Sequence, residues 1–236
     1  QFDEWLKYAH NADYNVVLLP LKDEYQARFD EAKAWAWYEE ITGDDYGYHN
    51  FLFGFLDDAD KNLPYTIDID FASIVIETAQ LVIPKDVKLI FIEAFNKRLG
   101  TELTTVKEVW EELYTRKMSM QELLNIPEEE GWEYSNGVNY VCSAFAISIF
   151  KRAGLFGDLE INATEFTPKD LYELEFFDVS GSKVIPGCEG FADFGYCQIM
   201  GKIKLDLGKT SFVTPYAHMD ERCPTTAPTY ERTPGC

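Results

Sequence analysis

A chain of 236 residues carries 21 basic and 41 acidic side chains, a formal charge of −20, together with 14 tyrosines and 17 phenylalanines. The acidic residues are spread along the whole length, so they describe a folded surface rather than a tail, and that surface repels nucleic-acid phosphates, whose binding needs Lys and Arg. No apolar run approaches the ~20 residues of a helical membrane span, which excludes one.

The length suits one large domain, or one domain with an insertion. In chain order, "FDEWLKYAHN" places Phe2, Trp5, Leu6 and Ala9 on one helical face. "YNVVLLPL" reads as a short strand, and "FDEAKAWAWYEEITG" as a helix with Asp30 near its start and Gly43 as its stop. Trp35 and Trp37, two apart, face different directions on that helix, as core and interface residues. The aromatic, glycine-rich "DDYGYHNFLFGFLDD" forms a turn and then an extended or short helical run. Residues 66–125 read as a helical block, in which Thr105 with Glu108 and Ser119 with Glu122 fit the capping box. "IPEEEGWEYSNG" breaks that pattern and leads into "NYVCSAFAISIFKRAGLFG", a helix closed by glycines. Pro168 suits the first turn of a further helix, and "FFDVSG", "YCQIMGKIKLDL" and "TSFVTP" read as strands. The class is α+β.

Cysteine usage points to a secreted protein. Of the five cysteines, Cys188, Cys197, Cys223 and Cys236 fall in Gly- and Pro-rich sequence near the C-terminus, where secreted proteins place disulfides. Pairing Cys188 with Cys197 and Cys223 with Cys236 is simplest, although four cysteines permit three connectivities. Asn162-Ala163-Thr164 is a glycosylation sequon, and the opening Gln1 points to a processed or truncated N-terminus. Cys142 is the thiol left over.

Cys142 admits two readings. In the first turn of its helix, the N–H groups and dipole favour a thiolate able to attack a carbonyl. Alternatively, Cys142, Phe145, Ala146, Ile149 and Ala153 form one apolar stripe, and free cysteine is among the most buried residue types. A nucleophile needs a base. Of the three histidines, His10 lies on a helix and His218 in the tail, whereas His49 sits in a glycine-flexed turn of the kind that carries function. Asp57, Asp58 and Asp60 follow as candidates to orient it. Asn136, six residues before Cys142, is a candidate oxyanion donor.

The stretch "YVCSAFAISIFKRAGLFG" resembles the nucleophile helix of circularly permuted papain-like hydrolases, the NlpC-like superfamily that includes relatives of lecithin–retinol acyltransferase. Upstream, "VVLLPLKDEYQARFDEAKAWAWYEEITGDDYGYHNFLFG" is similar to that group's strand, helix and G-x-x-Y turn. "FDEW", "ATEFTPKDLYEL" and "YCQIMGK" resemble a family of secreted eukaryotic proteins built on the same plan. The resemblance implies a nucleophile helix packed on a small antiparallel sheet, formed by residues 1–65 and 126–212, with 66–125 as an insertion and 213–236 as a disulfide-clasped tail. It implies Cys142 as nucleophile and places Tyr46 and Tyr48 beside the active site. The family's histidine precedes its cysteine on a strand that here would lie before Gln1. The base is therefore His49, or it is supplied by an N-terminal segment, or the protein is an inactive relative.

Two functions follow. One is a secreted cysteine hydrolase or acyltransferase acting on a peptide, amide or ester. The other is a catalytically inactive extracellular structural or binding glycoprotein that docks on a neighbouring protein. No cofactor is expected. Asp58-Ala59-Asp60-Lys61-Asn62 imitates a calcium loop, but Leu63 and Ile69 stand where an EF-hand needs Gly and Glu. Neither a zinc spacing nor a phosphate loop occurs.

Overall fold

The computed structural model describes residues 2–44, 46–47, 85, 88–124, 126–135, 137–138, 140–181, 183, 196–204, 207 and 212–217. The chain forms two compact units, Gln1–Asp30 with Tyr172–Pro215, and Glu31–Leu171 with Tyr216–Cys236. Helices and short antiparallel pairs coexist in it, so the α+β class holds.

In the first unit, helix α1 (Phe2–Asn11) precedes β1 (Val16–Leu18), and helix α2 (Asp23–Arg28) follows. Ala9 is fully buried on the α1 face, while Trp5 remains 44% exposed. Strand β1 pairs antiparallel with the strand Cys197–Met200, in the register Val17↔Gln198 and Leu18↔Cys197. That strand stops at Gly201, where a positive φ takes the backbone out of the extended region. Gly201 has φ +92°, and a Cβ there would lie 2.1 Å from Asn15 Oδ1 and 2.7 Å from Asn15 Cα. Asn15 Oδ1 also accepts from Ile203 N at 2.9 Å, which fixes the turn. Gly201→Ala is expected to destabilise the protein by about 2 kcal/mol or more, read as a lower urea midpoint.

The strands expected after residue 175 are shorter than the sequence pattern suggested. Lys202, Ile203 and Lys204 are exposed, and Val213 forms only a single bridge, to Leu174. In "FFDVSG", Phe177 bridges Leu21, but Phe176 turns inward, fully buried, with its ring 4.5 Å from that of Tyr25. Asp178 Oδ1 then accepts from Ser180 N at 2.9 Å, a local turn that competes with strand extension. Tyr25 also donates its hydroxyl to Glu175 Oε1 at 3.0 Å.

The second unit opens with α3 (Glu31–Glu40), which starts just after Asp30. Trp37 is buried and Trp35 is 57% exposed, as their spacing predicted. A turn closes on Gly43, whose φ of +107° ends the helical run. A π-helical turn (Lys88–Ile92) runs into α4 (Glu93–Leu99), closed by left-handed Gly100 at φ +65°. Helices α5 (Val106–Arg116) and α6 (Met120–Leu124) complete a core in which Ile92, Phe95, Val109, Leu113 and Leu123 are essentially inaccessible.

Both capping boxes form. Thr105 Oγ1 accepts from Glu108 N at 3.2 Å while Glu108 Oε2 accepts from Thr105 N at 3.0 Å. Ser119 and Glu122 repeat the exchange at 3.1 and 2.7 Å. Hydrogen bonds from the Thr104 backbone and side chain, chiefly, hold the Glu108 carboxyl below its usual range. The sign follows: this contribution is complete above the ordinary carboxylate range and is lost as pH falls through the lowered folded value. Thr105→Ala is expected to cost about 1 kcal/mol, measured by urea unfolding.

A hairpin of β2 (Glu133–Tyr134) and β3 (Gly137–Val138) leads to α7 (Cys142–Arg152), followed by a 3-10 turn (Ala163–Glu165). Helix α8 (Pro168–Glu173) begins with Pro168, and Thr167 N donates to Asp170 Oδ2 at 2.9 Å across its first turn. The boundary between the units falls within α8.

A buried ionic cluster ties four segments of this second unit together. Arg98 Nη2 meets Glu128 Oε2 at 2.9 Å, with both side chains at most 1% exposed. Arg98 also donates from Nε to Ile126 O at 2.9 Å, and its guanidinium lies 5.3 Å from the centre of the Trp132 ring. Tyr134 donates its hydroxyl to Glu128 Oε1. Burial first, and then the Glu128 charge, hold that phenol well above the usual tyrosine range. The Glu128 carbonyl accepts from Asn162 Nδ2 at 2.6 Å and from Thr164 Oγ1 at 2.5 Å. The sequon residues thus have a structural use: Asn162 also caps the 3-10 turn, accepting from Thr164 N.

Candidate functional site

The site is built around the start of α7. Val141, extended at φ −84° and ψ 168°, precedes the helix and offers no side-chain cap, so Cys142 is its first helical residue. This is two or three residues later than a helix starting at Tyr140 or Asn139 would give. The delay has a cause: Tyr140 is engaged in an isolated parallel bridge with Tyr46, and its carbonyl accepts from Gly47 N at 3.0 Å.

Helix α7 buries Ser143, Ala144, Ile147 and Ser148. That corrects the stripe expected through Cys142, Phe145, Ala146, Ile149 and Ala153, of which only Ala153, just past the helix, is fully buried. Phe145, Ala146 and Ile149 are only partly buried, and Cys142 is an exposed free thiol. The two small serines and Ala144 let the opposite face pack closely, so the cysteine face is the one left open. Cys142 is not a core residue.

The thiol opens on a groove of about 360 Å³. One wall is the end of α3 and its turn, with Tyr38, Ile41, Gly43 and Asp44; the other is Tyr46, Tyr140 and Phe145. Trp37 supports it from beneath, with its ring 5.3 Å from Tyr140 and 5.5 Å from Phe145. Tyr38 meets Phe145 at 6.4 Å, and the exposed Trp35 meets Tyr38 edge-on at 5.5 Å. Burial first and the Glu130 charge next raise the Tyr140 phenol; Arg152 opposes them, and Asp44 and Glu40 add smaller upward pushes.

Of the residues singled out in the sequence, the fold brings Cys142 and Tyr46 to one groove through the Tyr46–Tyr140 bridge. Tyr48, His49, Asp57, Asp58, Asp60 and Asn136 lie outside the described residues, as do the calcium-like loop and Cys188, Cys223 and Cys236. Cys197 is buried in the strand that pairs with β1. His10 belongs to α1 of the first unit.

Sequence reasoning passed over Tyr38, Ile41, Asp44, Tyr140 and Phe145. A signal existed, since Tyr38, Ile41 and Thr42 share one side of the α3 terminus at helical spacing. The apposition of Asp44 to Cys142 is tertiary and left no mark in the spacing. Among the described residues no helix is long and apolar enough to cross a membrane. No protein-family model, curated protein or solved structure matches this chain.

Proposed function

We propose that this chain is a secreted, permuted papain-like cysteine hydrolase acting on amide or ester bonds. The exposed thiol of Cys142, at the first residue of α7 and open to a groove walled by Gly43, Asp44 and Tyr46, is the observation that carries this reading. In the proposed reaction His49 takes the Cys142 proton, and one of Asp57, Asp58 and Asp60 orients the imidazole. The sulfur bonds to the carbonyl carbon, the C–N or C–O bond breaks, and the leaving amine or alcohol receives the proton. Water then cleaves the thioester, releasing the acid and restoring the thiol. Secretion, glycosylation at Asn162, and disulfides joining Cys188 to Cys197 and Cys223 to Cys236 belong to the same proposal. A glycan on Asn162 Nδ2 would leave one N–H to donate to Glu128 O.

A second reading is favoured by one observation: Trp35, Tyr38 and Tyr46 are 57%, 44% and 45% exposed around this groove. Aromatic side chains of that exposure also suit a non-catalytic extracellular binding protein on the same scaffold. Incubation with a mixed peptide and ester library, analysed by mass spectrometry, separates the readings. Cleavage by wild type that is lost in Cys142→Ala supports the hydrolase. Retention of library members without cleavage supports the binding protein.

A further inference from the structure

We infer that the Cys142 groove takes a cationic segment, a lysine- or arginine-bearing peptide, as its preferred occupant. This deepens the hydrolase reading, on which the word substrate rests; binding itself rests only on the groove.

Two features of the groove carry the inference. The first is its walls, where Tyr38 and Tyr46 are each a little under half exposed and Tyr140 and Phe145 lie between them. Aromatic faces attract ammonium and guanidinium groups through the ring quadrupole, and more strongly where water is partly excluded. The second is charge. Asp44 lines the groove, exposed, and Glu39 and Glu40 are exposed at the end of α3 just before it. No lysine or arginine is among the described residues lining it. An anionic peptide would meet Asp44 unpaired, whereas a lysine gains both the carboxylate and the rings. The surrounding chain, at −20, draws cations toward the groove without selecting it. Selection therefore falls to Asp44 and the tyrosines.

Native protein at low ionic strength is treated with iodoacetamide, a neutral reagent, and Cys142 alkylation is followed by peptide mass spectrometry. N-acetylated hexalysine amide is expected to slow it about threefold or more, and N-acetylated hexaglutamate amide to leave it unchanged. Asp44→Asn should remove most of the protection, while Glu111→Gln, an equal charge change on α5, should preserve it. Absent protection, equal protection by hexaglutamate, or protection undiminished in Asp44→Asn overturns the inference. Cleavage of hexalysine is scored in the same samples and bears on hydrolysis alone. Should Cys142 resist alkylation in the native protein, the hydrolase reading falls. Calorimetric titration of hexalysine into wild type and Asp44→Asn then decides the inference, which equal affinities overturn.

Discussion

Glu128→Ala is expected to lower the unfolding free energy by about 3–5 kcal/mol, the cost of stranding a buried charge. The partner left behind is Arg98, whose guanidinium is fully inaccessible and loses the Glu128 carboxylate. Its other contacts among the described residues include the carbonyls of Ile126 and Ala94 and the face of Trp132, which supply dipoles rather than a full opposite charge. The Tyr134 hydroxyl loses its acceptor at the same time. Glu128→Gln should cost less, because an amide oxygen can still accept from that hydroxyl. The double change Arg98→Met with Glu128→Leu should recover much of the loss, since well-packed apolar residues often replace a buried ion pair without penalty. Urea unfolding followed by tryptophan fluorescence reads all three, with Trp132 reporting from the cluster itself. A Glu128→Ala protein within about 1 kcal/mol of wild type would show that the cluster contributes no more than a surface pair.

That cluster also shows where the sequence ceases to be legible. "IPEEEG" reads as a polar break between helices, and a break it is. Nothing local says that Glu128 is buried, Glu129 exposed, and Glu130 turned to Lys151 Nζ at 2.9 Å. Partners 30 and 34 residues away in the chain, Arg98 and Asn162, decide those fates. Local chemistry was legible wherever the interaction spans one turn: both capping boxes, the Gly43 stop, and the contrast between Trp35 and Trp37. Strands fared worse, because period-2 patterning cannot see the positive-φ turn at Gly201, held by the Asn15 side chain. The site was half legible. A cysteine at a helix start is a local feature, but which face of α7 packs depends on Ala144 and two serines finding close neighbours. Apolar periodicity chose the wrong face because it gives weight to Phe145 and Ile149 and none to small polar residues that pack tightly.

The exposure of Cys142 makes its replacement the sharpest test of function. Where wild type cleaves a library member, Cys142→Ala is expected to lower the rate by at least roughly a thousandfold, since removing a nucleophile disables the whole catalytic unit. Cys142→Ser should be nearly as inactive, because the hydroxyl is far less readily ionised than the thiol. Neither change should disturb folding, as the side chain is exposed and the packed face of α7 is Ser143, Ala144, Ile147 and Ser148. Unfolding midpoints matching wild type would therefore tie any loss of turnover to chemistry. Iodoacetamide supplies the companion result: the native, unreduced protein should be alkylated at Cys142 without denaturant, and turnover should decline in step with that single modification. If alkylation is complete and turnover persists, the thiol is a bystander and the aromatic groove is a binding surface. If the alanine protein loses turnover and the wild type carries a thioester on Cys142 in acid-quenched samples, the sulfur itself holds the acyl group.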